Sequence, residues 1–113
     1  MPLKKAIWIS YDLGLTGDYN GLYKWLDSLD AKECGTHTAL VRRDYPVDDD
    51  QMISEDIKAL MSKHVRIDPN DRVYLILRDK EGLIKGKFIF GGRKKATWEG
   101  YSQPDDDSED TSI

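Results

Sequence analysis

The stretch Lys4 to Asp12 constrains this chain more than any other. In an extended segment Ile7, Ile9 and Tyr11 fall on one side and Ala6, Trp8 and Ser10 on the other. Both sets are largely apolar. A strand of that kind belongs inside a sheet, with a neighbour along each edge. It ends in a carboxylate, Asp12, and the chain is then broken by Gly14 and Gly17.

The remaining elements follow from period and punctuation. Asp18 is placed to cap a helix in which Leu22, Leu26 and Leu29 recur at i, i+4 and i+7, widened by Tyr19 and Trp25, and which ends near Ser28–Ala31. Thr36 to Val41 reads as a strand, with Gly35 marking a bulge or close approach. Arg43 to Asp50, holding Pro46 and three consecutive aspartates, reads as a loop. A second helix is expected from about Asp50 to Lys63, with Ile53, Ile57, Leu60 and Met61 as its core face. Arg72 to Arg78 is apolar on both sides and therefore internal. Asp79-Lys80-Glu81-Gly82 forms a hairpin loop whose glycine takes a positive φ, and Leu83 to Phe90 returns. A short final segment runs from Ala96 to Tyr101. The order is β-α-β-α-β-β with a short extra C-terminal strand. It predicts an α+β, ferredoxin-like fold with two helices on one face of an antiparallel sheet.

With 113 residues the chain has room for one domain, expected over residues 1–103. The net charge of −4 belongs to its end: five of the 21 acidic residues lie in 104–113, leaving 16 against 17 basic ones. That acidic tail holds too little apolar surface to order itself. Its sharper role is a decoy competing with nucleic acid for a basic surface of the same molecule. No apolar run approaches the roughly 18–20 residues of a membrane span, so a cytoplasmic protein without membrane contact is expected. One cysteine, Cys34, rules out a disulfide framework within one chain and reads as a small buried filler. His37 and His64 have no second His or Cys at ligand spacing, which argues against zinc.

Two features carry chemistry. Asp12, at the end of a buried strand, is an oxygen ligand suited to Mg²⁺ or Mn²⁺. Equally, it caps the loop through Gly14 by accepting from nearby backbone amides. Lys85, Lys87, Arg93, Lys94 and Lys95 form a basic cluster beside Phe88, Phe90 and Trp98, a combination suited to phosphates and stacked bases. Lysines on an edge strand also prevent pairing with other chains.

Ile9-Ser10-Tyr11-Asp12 closing the first strand, the helix with Tyr19, Leu22 and Leu26, and the late Trp98-Glu99-Gly100-Tyr101 resemble the SinR-like proteins. These are small ferredoxin-like relatives of the CRISPR-associated adaptation endonuclease, the second Cas protein. The virulence-associated protein D ribonucleases are similar in plan. The resemblance implies a homodimer, often completed by a C-terminal strand added to the partner's sheet, and matches Asp12 to the family's metal-associated aspartate. Adaptation endonucleases carry basic residues soon after that aspartate, whereas Gly14 to Leu22 holds none here.

Three functions stay open. One is nucleic-acid binding, to RNA or DNA, through the Lys85–Lys95 surface. Another is metal-dependent cleavage, with Asp12 from two protomers holding Mg²⁺ or Mn²⁺. The third is a protein-interaction module, antitoxin-like or inhibitory, whose acidic loop and tail face a basic protein partner.

Overall fold

A computed structural model describes residues 3–103. The acidic segment 104–113 lies outside the described residues. Seven elements follow in order: β1 (Leu3–Asp12), α1 (Tyr19–Ser28), β2 (Lys32–Glu33), β3 (Thr38–Tyr45), α2 (Asp50–His64), β4 (Arg72–Arg78) and β5 (Ile84–Phe90). The strands form one sheet in the order β2-β3-β1-β4-β5, with every neighbouring pair antiparallel. This is the α+β, ferredoxin-like arrangement. β1 is central, as its two apolar sides require. β5, the returning strand expected at Leu83–Phe90, is hairpinned onto β4 beyond the ferredoxin-like core. Among the described residues no helix is long and apolar enough to cross a membrane.

Three expectations are corrected. The strand expected at Thr36–Val41 runs instead from Thr38 to Tyr45, taking in residues read as loop. Arg43 and Tyr45 extend the alternation of Ala39 and Val41, and Tyr45 is buried with its hydroxyl on Asp56 at 2.7 Å. The two-residue β2 is too short to leave a period. Ala96 to Tyr101 is a run of turns closed by backbone bonds such as Glu99 N–H to Ala96 at 3.1 Å. Cys34, expected in the core, is exposed.

Both helices cover the same side of the sheet. Ile7, Ile9 and Tyr11 of β1, Val41 of β3, and Val73, Leu75 and Leu77 of β4 are buried against Leu22, Trp25 and Leu26 of α1 and Ile53, Ile57 and Met61 of α2. Asp18 caps α1 by accepting from Gly21 N–H at 2.9 Å, and its other oxygen accepts from Arg66 N–H beyond α2. One carboxylate thus ties the start of α1 to the end of α2. Gly21 is required there, because a Cβ would strike both the Asp18 carboxylate and the His64 carbonyl. Asp71, almost fully buried, accepts from Gly14 N–H and Asp68 N–H, each at 2.8 Å. It thereby joins the loop after β1 to the turn before β4. The loop-capping role considered for Asp12 belongs to Asp71.

Because Asp71 satisfies two backbone donors that would otherwise lose their partners, Asp71→Ala is expected to lower unfolding free energy by about 1–3 kcal/mol in urea titrations. Ile57→Ala, which empties a fully buried site, should cost about 2–5 kcal/mol. A wild-type midpoint in either variant would contradict this account of the core.

Candidate nucleic-acid interface on the open face of the sheet

With both helices on one side, no helix among the described residues covers the other side of the sheet. Register decides what stands on it, since paired residues of adjacent strands share a face. Trp8 is opposite Leu40 on β3 and Ile76 on β4, and Ile76 is opposite Gly86 on β5. The next row is Thr38, Ser10, Tyr74 and Phe88. Asp12 is opposite Arg72 at the end of the sheet. Trp8 retains 37% of its surface exposed, a large fraction for a tryptophan at the centre of a central strand.

The aromatic row is tightly built. Tyr74 and Phe88 meet edge to face, with centroids 4.7 Å apart. The Tyr74 ring lies over Gly86, where any Cβ would collide with it. Between Val73 and Tyr74 the pairing with β5 slips, so that Val73 faces Phe90 and Tyr74 faces Phe88. Alternation buries Ile89 and leaves Phe88 on the open side, and the bulge beyond them brings Phe90 rather than Ile89 opposite Val73. A shallow cavity of about 290 Å³ opens here, lined by Ser10, Asp12, Arg72, Tyr74, Phe88 and Arg93. A second, of about 300 Å³, lies at the opposite end of the same face, between Lys4, Ala6, Trp8, Arg78 and Ile84.

Asp12 is not isolated. Its Oδ2 accepts from Arg72 Nη2 at 2.7 Å. That hydrogen bond leads the effects holding its carboxyl below the usual aspartate value; desolvation, next in size, opposes it, and the charges of Arg72, Lys94 and His37 add to it. Arg93 lies over the Phe88 ring, 5.7 Å from its centroid.

The basic cluster read from the sequence divides between two faces. Arg93 and Lys94 come to the Asp12 end of the open side. Lys95 is exposed in the loop that follows. Lys85 and Lys87 share a face, as alternation demands, but it is the helical one: they are opposite Leu77 and Leu75. Lys85 pairs with Asp79 at 3.1 Å and Lys87 donates to Gln51 of α2 at 3.0 Å. They therefore do not join Arg93. The residues that sequence reasoning did not select are Ser10, Arg72 and Tyr74. Their signal was the alternation Arg72-Tyr74-Ile76-Arg78, masked by the apolar residues between.

Among the described residues no three His, Cys, Asp or Glu side chains gather closely enough to hold a metal ion. Asp12 is the carboxylate in the cavity, and it is engaged by Arg72. Its oxygens are of the kind Mg²⁺ or Mn²⁺ takes, one or two carboxylates sufficing beside water and phosphate, and Arg72 competes for them.

Because the Asp12 carboxyl is held down chiefly by Arg72, Arg72→Ala should raise its titration midpoint toward the ordinary value of 3.8, read by carboxyl NMR. The sign follows from linkage: a depressed carboxyl contributes stability above its unfolded pKa and loses it as pH falls through the folded one. Wild-type stability should therefore decline more steeply below pH 4 than that of Arg72→Ala, by a small amount because the pair is exposed to solvent. An unmoved Asp12 midpoint in the variant would refute the assignment. Comparisons with protein-family models, with curated proteins and with solved structures find no match for this chain.

Proposed function

We propose that this chain binds single-stranded nucleic acid across the open face of its sheet. The observation that carries the reading is one face holding Trp8, Tyr74 and Phe88 in adjacent rows, with Arg72 and Arg93 beside them. Unpaired bases stack on such rings whatever their identity, and guanidinium groups meet the backbone that joins them. Arg42, on the same face as Ala6, and Arg78, at the second cavity, extend the positive charge along the strands. A duplex hides its base faces within the stack and gains little from exposed rings.

The basic surface differs from the one expected around Lys85 and Lys87, which lie on the helical face, paired with Asp79 and Gln51. Arg93 and Lys94 belong to it in both readings. The homodimer implied by the resemblance to SinR-like proteins would double the surface if the two open faces lay side by side, and would cover Trp8 if they packed together. Metal-dependent cleavage would draw a second carboxylate from another chain and require Asp12 to exchange Arg72 for the ion.

Titration of a fluorescent single-stranded octanucleotide tests the reading. Binding is expected at low salt, with log K falling by about 0.7 per log unit of salt for each phosphate neutralised. Trp8→Ala and Phe88→Ala should each weaken it by about 5- to 150-fold, the range for one base–aromatic stack. Equal affinity in both variants, or preference for a duplex, would overturn the proposal; Lys85→Ala and Lys87→Ala should change little.

A further inference from the structure

The cavity at the Asp12 end of the open face has a composition that stacking alone does not require. Aromatic rings and arginines suffice for a strand bound without regard to sequence, yet an anionic acceptor stands among them. A carboxylate repels phosphate, so its presence there weakens general binding. It contributes only where a ligand presents N–H donors. We propose that this cavity is a base pocket selective for guanine, with the Asp12 carboxylate accepting from N1–H and the exocyclic N2 amino group while the ring stacks on Tyr74, which Phe88 braces edge to face. This rests on the single-strand-binding reading above.

Size and hydrogen-bond capacity support the assignment. About 290 Å³ is at the lower limit of small-molecule cavities and suits a single base. An ionised carboxylate is acceptor-only, with about four lone-pair positions on its two oxygens. Arg72 Nη2 takes one position on Oδ2. Oδ1 and the second position on Oδ2 are left for a ligand. Guanine presents two adjacent donors on its pairing edge. Uracil presents one N–H between two carbonyl acceptors, which a carboxylate repels. Adenine and cytosine present one amino group beside an unprotonated ring nitrogen. A carboxylate therefore matches guanine with two hydrogen bonds, cytosine or adenine with one, and uracil poorly.

The rest of the lining fits the same base. Guanine carries acceptors O6 and N7 on the side away from its amino group, the edge that arginine pairs with most often. Arg93, held against Phe88, supplies donors next to the stacking surface. The Ser10 hydroxyl can donate or accept and does not discriminate. Arg72 has a positioning role: its bond to Oδ2 fixes the carboxylate at the mouth of the cavity.

The test compares full-length protein binding to three eight-residue RNA strands: all uridine, the same with one central guanosine, and the same with inosine at that place. The guanosine strand should bind at least about tenfold tighter than all-uridine, within the range of a bidentate base contact. Inosine lacks only the N2 amino group and should lose most of that gain. Asp12→Asn, which presents an amide donor where an acceptor was, should bring the guanosine-to-uridine ratio to within about threefold. Asp12 is solvent-exposed, so the variant should keep the wild-type circular dichroism spectrum. Equal binding of guanosine and uridine strands, equal binding of guanosine and inosine strands, or an undiminished ratio in Asp12→Asn would each overturn the pocket while leaving strand binding in place. Absence of binding to all three strands would overturn both readings.

Discussion

The pleat of β1 is the constraint on which the rest of this structure depends. Its odd residues are closed into the core by both helices, and its even residues are left on the far side of the same strand. Because β1 has partners on both edges, neither side can slip by one residue without moving Ile7 and Ile9 to solvent. The packing of the core therefore fixes the geometry of the opposite face. Trp8, Ser10 and Asp12 are held in a row by a strand whose register is determined by residues they never touch. A site built on such a strand is more rigid than one built on a loop.

That coupling explains why the charged end of the face is ordered. Asp71 ties the loop after β1 to the turn before β4, so the two strand ends bearing Asp12 and Arg72 arrive together. The resulting ion pair is solvent-exposed on the aspartate side and contributes little to stability. Its consequence is chemical. The pair keeps a carboxylate ionised and oriented among cations that would otherwise make a simple anion site.

The internal places of β1 and β4 and the core faces of the helices were legible in the chain because residues 4–12, 50–63 and 72–78 each carry a long apolar pattern. What could not be read was which side of the sheet the helices would take. Ile7-Ile9-Tyr11 and Ala6-Trp8-Ser10 are both apolar enough to be inside, and only the packing of α1 and α2 against the first set separates them. Lys85 and Lys87 show the same limit. Alternation places them on one face, but only the β4–β5 register, which sets them opposite Leu77 and Leu75, decides that it is the helical face. Asp12 was recognised by position, whereas its partner lies 60 residues away and no local pattern connects them. Cys34 was misread because two-residue β2 and its turn carry too few residues for a burial pattern to emerge.

Gly86 favours the proposed reading of the aromatic face as a binding surface over that of a face merely uncovered. Glycine inside a strand loosens it and supplies no cross-strand contact, and β5 is an edge strand that could use such contacts. An uncovered face needing only solubility would carry lysine or glutamate at that place. Gly86 instead leaves room for the Tyr74 ring, which meets Phe88 on the neighbouring row. The local loss of strand stability is offset by no additional core packing, since these rings point away from the helices. What the arrangement secures is a fixed aromatic wall beside Arg93 and Asp12. A wall of that composition has a use when something flat and polar-edged is placed against it.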